Sequence, residues 1–126
     1  MTNVYKVVRV INGLFVSAVV NWDGLCCTYG IGIKTLPAEG TYLYAFDELS
    51  NAVTFVYKTI RRHADRVEVL ACTAETVSII PTATTPYTDL EEILRWWRKG
   101  HRSRELVPFG TIWCEWIVPT TIMTGW

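Results

Sequence analysis

The chain has 126 residues, with 12 Lys+Arg against 12 Asp+Glu, so its formal net charge is zero, and 50% of its residues are hydrophobic. This length predicts one domain over residues 1–126, because two domains would each be near the size at which cores become marginal. The composition excludes an intrinsically disordered chain, and the zero net charge disfavours a polybasic coat protein. We expect no membrane partner, because the apolar runs are too short for a transmembrane helix. We expect no secretory signal, because the first residues lack a basic region followed by an apolar one.

The chain opens with a predicted β-hairpin. Residues 4–11 and 14–20 are rich in β-branched side chains, and Asn12-Gly13 separates the two runs. Asn-Gly between two such runs is the strongest short hairpin signal, because both central residues of the turn need a positive φ.

Two helices and further strands follow. The first helix is predicted to begin at the N-cap Asp47, with an apolar stripe along residues 49–60. The second follows the capping box Thr88-Asp89-Leu90-Glu91 and ends at Gly100. The remaining predicted strands are 25–34 (bent at Gly30 and Gly32), 41–46, 67–72, 76–80 and 111–118. This order predicts an α+β fold, a mainly antiparallel sheet with two helices packed on one face.

A basic segment follows the second predicted helix and includes its last turn. Basic side chains neutralise phosphates and aromatic rings stack on unpaired bases, so residues 95–104 form a candidate nucleic-acid or anion site. An alternative is a solvated helix end, in which Glu91 and Glu92 pair with these cations and Trp97 belongs to the buried stripe. The residues of the candidate site are Arg95, Arg98, Lys99, His101, Arg102 and Arg104.

The four cysteines do not have the spacing of a metal site. Cys26 and Cys27 are adjacent, and no Cys-x-x-Cys occurs. We therefore expect no metal ion and no cofactor, and buried thiols are the simplest interpretation. Cys72 and Cys114 both lie in predicted strands, which makes a cross-strand disulfide conceivable, although four cysteines allow three full pairings.

The sequence contains few signals of catalysis. A nucleophile, base and acid could be drawn from Cys72, His63 and Glu68, and a carboxylate pair from Glu68 and Glu115. Both carboxylates are explained equally well as solvent-facing acids on half-exposed strands, without a catalytic role. The sequence therefore predicts a non-enzymatic protein more readily than an enzyme.

Six tryptophans in 126 residues exceed ordinary usage. Aromatic residues are enriched at interface cores, so Trp113, Trp116 and Trp126 are candidate contacts for self-association or for another protein. The alternative is that Trp113 and Trp116 point to opposite faces of the last strand and one of them covers the domain's own core. We expect a small binding or protein-interaction module, with nucleic-acid binding as the second hypothesis.

The composition and several segments of the chain resemble those of a group of small viral proteins. Val4-Tyr5-Lys6-Val7-Val8-Arg9, the stretch from Gly40 to Ala52 and the run Val67–Cys72 are similar to orphan proteins of viruses that infect hyperthermophilic archaea. The resemblance implies a virus-encoded protein of the host cytoplasm or the virion. It contains no catalytic motif, and it makes intracellular disulfides more plausible.

A second, looser resemblance is to ADP-ribosyltransferase-like folds. Those sites combine an Arg or His, a strand with Ser or Tyr, and a Glu. In this chain the resemblance implies Arg9, Tyr44 and Glu115 for these positions, as a fold-level analogy.

The nucleic-acid hypothesis makes a direct prediction. Replacing Arg98, Lys99 and Arg102 together by Glu is expected to abolish binding to single-stranded oligonucleotides, because it reverses the charge that neutralises phosphates. Fluorescence anisotropy over a salt series measures this, and binding by the original chain should weaken steeply as salt rises. Unchanged affinity in the triple variant would remove this segment as the site.

Overall fold

The computed structural model describes residues 1–18, 26–58, 66–79, 81, 91, 94, 97 and 107–126. Within these residues the fold is mostly antiparallel sheet with one helix. The elements are β1 (Thr2–Ile11), β2 (Leu14–Ser17), β3 (Thr28–Tyr29), β4 (Leu43–Phe46), α1 (Leu49–Lys58), β5 (Val67–Thr76) and β6 (Thr111–Met123).

The predicted hairpin is confirmed. Ile11 faces Leu14 across the turn, and Asn12 and Gly13 both have positive φ, at 51° and 78°. These are the angles that a two-residue turn needs to match the twist of its strands. β2 ends at Ser17, so the paired part of the second strand is shorter than predicted.

The sheet closes on itself. β1 pairs with β5 along one edge, from Thr2 to Arg9, and with both β2 and β4 on the other edge. β6 pairs with β5 and with β4, so β1, β5, β6 and β4 form a ring. A closed ring satisfies its own backbone hydrogen bonds and removes the open edges that sheets otherwise expose.

The interior of the ring is the first hydrophobic core. Alternate residues of each strand face it, as the two-residue period of a strand requires. Val4 and Val8 of β1 are fully buried there, beside Leu70 of β5 and Ile117 of β6. The other buried members are Tyr29, Leu43, Ala45, Cys72, Ala74 and Cys114.

Two bulges let the long strand β6 follow this curvature. The register of β5 against β6 shifts between Ala71 and Cys72 and again between Glu75 and Thr76. The first shift accommodates Pro119, which the sequence suggested would end the strand. Proline is tolerated in strands at bulges, and β6 runs on to Met123. β5 in turn extends to Thr76, so the separate strand predicted at 76–80 is wrong.

Helix α1 covers part of the outer face. Ala52 and Val56 are buried against Val7, Phe46 and Val69. The helix begins at Leu49, two residues after the predicted N-cap. Asp47 instead accepts a hydrogen bond from the Asn51 side chain at 2.8 Å.

The second predicted helix falls mostly outside the described residues. Glu91, Leu94 and Trp97 have helical backbone, and Leu94 and Trp97 are half-buried. The described residues therefore show a closed antiparallel sheet carrying α1, and the packing of a second helix on it stays a prediction.

Gly110 fixes the start of β6 beneath α1. Its φ is +83°, and a Cβ there would collide with the side chains of Asn51 and Asp47. The Asp47 backbone N–H also donates to the Gly110 carbonyl at 2.9 Å. The backbone therefore approaches the helix more closely than any residue with a side chain allows.

Gly110→Ala is expected to destabilise the fold by about 1 kcal/mol more than Gly40→Ala. Both replacements place Ala at positive φ, at +83° and +80°, but nothing lies within 4 Å of the Cβ at residue 40. The additional loss of unfolding free energy in Gly110→Ala corresponds to the Asn51–Asp47 hydrogen bond that the new methyl group displaces. Urea unfolding followed by circular dichroism measures it. Equal losses in the two variants would show that the contact contributes nothing.

Candidate functional site

An exposed row of aliphatic side chains crosses the outer face of the sheet at the hairpin end. Ile11 of β1 pairs with Leu14 of β2 and therefore shares its face. Phe15 and Tyr29 pair with each other and pack with the interior core, so Leu14, one residue earlier, faces outward. Gly30 lies beside Leu14 on the neighbouring strand by the same register.

Ile33 completes this row by folding back over Gly30. Its backbone N–H donates to the Gly30 carbonyl at 3.0 Å. A Cβ on Gly30 would meet the Ile33 Cδ1 atom at 3.0 Å. Because the Cβ of residue 30 would point to the same side as Leu14, the Ile33 side chain covers the outer face there. We call Ile11, Leu14 and Ile33 the apolar row.

The apolar row is exposed to solvent. The exposed fractions are 44% for Ile11, 58% for Leu14 and 65% for Ile33, and Ile31 in the adjoining turn is 46% exposed. Single exposed aliphatic residues are ordinary, but a contiguous group on one face is typical of an interaction surface. The row is rigid, since ladder hydrogen bonds and the turn at Asn12-Gly13 position it.

The apolar row was not predicted from the sequence, although the sequence contains a signal for it. Turn positions are usually polar, yet Ile11 and Leu14 flank the turn Asn12-Gly13, and Ile31 and Ile33 flank Gly32. Apolar side chains beside two tight turns have no core to enter.

Of the three tryptophans predicted to form an interface, Trp113 is buried within the chain, whereas Trp116 and Trp126 are half-buried. Trp113 is completely buried between Tyr42, whose ring stacks at a centroid distance of 5.3 Å, and Tyr44, at 5.9 Å. Trp126 is half-buried, and its indole N–H donates to the Met123 carbonyl at 3.1 Å. The ammonium of Lys34 lies 4.5 Å from the centre of the Trp116 ring.

The expectation that Trp113 and Trp116 face opposite sides is wrong. Glu115 is the extra residue of the bulge between Glu75 and Thr76, so it shifts the alternation of β6 by one. Cys114 and Ile117 both face the interior, while Trp113 and Trp116 both lie on the outer side.

Trp97 connects the basic segment to the sheet. Its ring lies 5.5 Å from Trp113 and 6.2 Å from both Tyr42 and Tyr44, measured between centroids. Trp97 therefore belongs to an aromatic cluster with Trp113, Tyr42 and Tyr44, in line with the alternative interpretation of the segment. The charged residues Arg95, Arg98, Lys99, His101, Arg102 and Arg104 lie outside the described residues.

The predicted Cys72–Cys114 disulfide does not fit the strand register. Both residues are free, buried thiols. Cys72 lies opposite Pro119, whereas Cys114 lies opposite Thr76, four residues further along β5. At 3.3 Å per residue this is about 13 Å along the strand, while a disulfide needs Cα atoms within about 7 Å.

The candidate catalytic groups do not converge. Glu68 lies at the end of β5 that pairs with the C-terminal part of β6, whereas Glu115 lies at the opposite end of that pairing. Arg9 donates through Nε to the Ser17 carbonyl at 2.9 Å, and Tyr44 packs in the aromatic cluster. His63 lies outside the described residues. Among the residues that the structure places, no group of three or more His, Cys, Asp and Glu could hold a metal ion.

Comparison with known proteins does not assign the chain to a family. No family model, curated protein or solved structure matches the chain. Across the described ranges, no helix has the length and apolar character that a membrane crossing needs. The viral origin and the cytoplasmic location stay predictions.

The buried thiols are expected to resist alkylation. Burial raises the pKa of Cys72 to about 12 and that of Cys114 to about 11, so both stay protonated and unreactive at pH 8. Iodoacetamide should modify half-exposed Cys26 first in the folded protein, and Cys72 and Cys114 only after unfolding in guanidinium. Peptide mass mapping identifies which cysteines are modified at each time. Fast modification of Cys114 in the folded chain would show that the ring interior opens.

Proposed function

We propose that this protein is a non-enzymatic interaction module that associates with a second copy of itself through the apolar row. The observation that carries the proposal is the placement of Ile11, Leu14 and Ile33 side by side, each at least 44% exposed, on one rigid outer face. Burying such side chains against a partner removes apolar surface from water and stabilises the complex.

The closed sheet supports association through a face. Neighbouring strands occupy both edges of β5 and much of the edges of β1 and β6, and Thr28 of β3 already accepts a hydrogen bond from the Thr35 hydroxyl at 2.8 Å. Pairing of strand edges across a two-fold axis therefore has few groups to use among the described strands.

A second copy suits this surface for two reasons. The row consists only of aliphatic side chains, so it is complementary to itself, and a two-fold axis lays one row against another. The chain also has a formal net charge of zero, so two copies do not repel each other at long range.

The decisive variant is Leu14→Lys. Placing a charge at the middle of the row should weaken the dimer at least about 30-fold, because a buried unpaired ammonium is costly and Leu14 occurs once in each copy. Sedimentation velocity between 10 and 200 µM (roughly the range in which weak dimers dissociate) measures this, with far-UV circular dichroism to verify the sheet.

Phe109→Lys is the matched control. Phe109 is 87% exposed but lies in the turn before β6, away from the hairpin end, so its variant should remain dimeric. An original chain that sediments as a monomer at the highest concentration contradicts self-association. A dimer that survives Leu14→Lys but not Phe109→Lys would move the interface to the other end of the molecule.

A further inference from the structure

The wall of the ring has a gap on one edge of β1. β2 pairs with that edge up to the pair of Val8 with Ser17, and β4 contributes only the pair of Tyr5 with Phe46. Lys6 and Val7 lie between these two pairings and face neither strand in register. We call this gap between β2 and β4 the seam.

The Lys6 side chain occupies the seam from the inside. By alternation it shares the interior face with Val4 and Val8, which are completely buried, whereas Lys6 itself is only half-buried. Its Nζ atom donates to the Tyr44 carbonyl of β4 at 2.6 Å and lies 5.3 Å from the centre of the Tyr29 ring. The amine therefore borders the core and lies at the seam, where β1 has no register partner on that edge.

Among the described residues, no carboxylate forms an ion pair with Lys6. The described titratable groups that interact with it electrostatically are thiols, in order of strength those of Cys114, Cys27, Cys72 and Cys26. Burial raises the pKa of Cys27 as well as those of Cys72 and Cys114, so these thiols are neutral near pH 7. Tyr29 is likewise kept protonated, because burial raises its pKa.

The position of this amine beside the core disfavours its charged form. Removal from water penalises the ammonium, and burial accordingly lowers the pKa of Lys6 from its ordinary value. The Tyr44 carbonyl holds the side chain in place and accepts a hydrogen bond from an amine as well as from an ammonium. A neutral lysine keeps the lone pair that makes it a nucleophile, and proteins use such desolvated lysines to bind carbonyl compounds.

We propose that Lys6 is a covalent attachment site for small aldehydes. The Nζ lone pair attacks the carbonyl carbon, and the carbonyl oxygen takes up a proton to give a carbinolamine. The C–O bond then breaks, and water departs with both hydrogens of the amine. A C=N bond remains between Lys6 and the former aldehyde carbon. The condensation needs no oxidant or reductant, and it is independent of the apolar row.

Competition among the lysines of the unmodified protein tests the proposal. The folded chain is treated with propanal and cyanoborohydride, which reduces imines to stable amines, and each site is quantified by peptide mass mapping. At pH 7, Lys6 is expected to be modified at least about tenfold faster than the exposed Lys34 and Lys58, since each pH unit of lowered pKa gives up to tenfold more free amine. In guanidinium the three rates should become equal.

The pH profile separates reactivity from mere access. A hydrated lysine gains about tenfold in rate per pH unit up to its pKa, whereas an amine whose pKa is lowered levels off at a lower pH. We therefore expect the modification rate of Lys6 to rise less steeply between pH 7 and 9 than that of Lys34. A Lys6 that stays unmodified in the folded protein, or that reacts no faster than Lys34, overturns the proposal.

Two variants complete the test. Lys6→Met should abolish the fast-reacting site, whereas Lys34→Met should leave the rate at Lys6 unchanged. If Lys6→Met does not fold, the competition in the unmodified chain and its pH profile still decide the question. Fast modification that persists in folded Lys6→Met would assign the reactivity to another amine and contradict the proposal.

Discussion

The backbone hydrogen bonds of β1 are the constraint on which the rest of the structure depends. One edge of this strand binds β5 over eight residues, and the other is divided between β2 and β4. This double use closes the ring, creates the interior core and leaves the seam where the division occurs. The same strand places Ile11 at one end of the molecule, on the outer face, and Lys6 nearer its middle, on the inner face.

The bulges of β6 show how one inserted residue redistributes side chains between the two faces. Without the extra Glu115, strict alternation would place Trp113 and Trp116 on opposite sides. The shift instead brings Trp113 out to meet Tyr42, Tyr44 and Trp97, while Cys114 and Ile117 both remain inside. The aromatic cluster is thus a second outer packing layer beside the one that α1 provides.

Local signals predicted local structure well. The Asn12-Gly13 turn, the strand at 41–46 and the apolar stripe of α1 depend on neighbouring residues, and all three are present. The continuation of β6 through Pro119 depends instead on a bulge opposite Cys72, and a single sequence does not show which strand lies opposite. For the same reason the closure of the sheet and the separation of Cys72 from Cys114 could not be inferred.

The candidate site was missed for a related reason. The tryptophans were predicted to be interface residues, but a large ring can equally fill space within the fold. Only the packing shows whether a given tryptophan lies at an interface or in the protein interior. Ile11, Leu14 and Ile33 are ordinary residues individually. Their significance comes from the register that places them side by side on an exposed face. The position of Lys6 inside the ring could not be predicted either, because the alternation of a strand does not show that a ring encloses one of its faces.

The pairing of β1 with β5 also governs how the chain can fold as it is made. Thr2 lies opposite Ala74 and Arg9 opposite Val67, so the first strand must wait for the middle of the chain to leave the ribosome. The β1–β2 hairpin can form early, but contacts this distant in sequence form slowly. Until β5 arrives, one edge of β1 is open to any strand nearby. Brief exposure to aggregation during synthesis is thus inherent in a fold whose finished form has almost no edges.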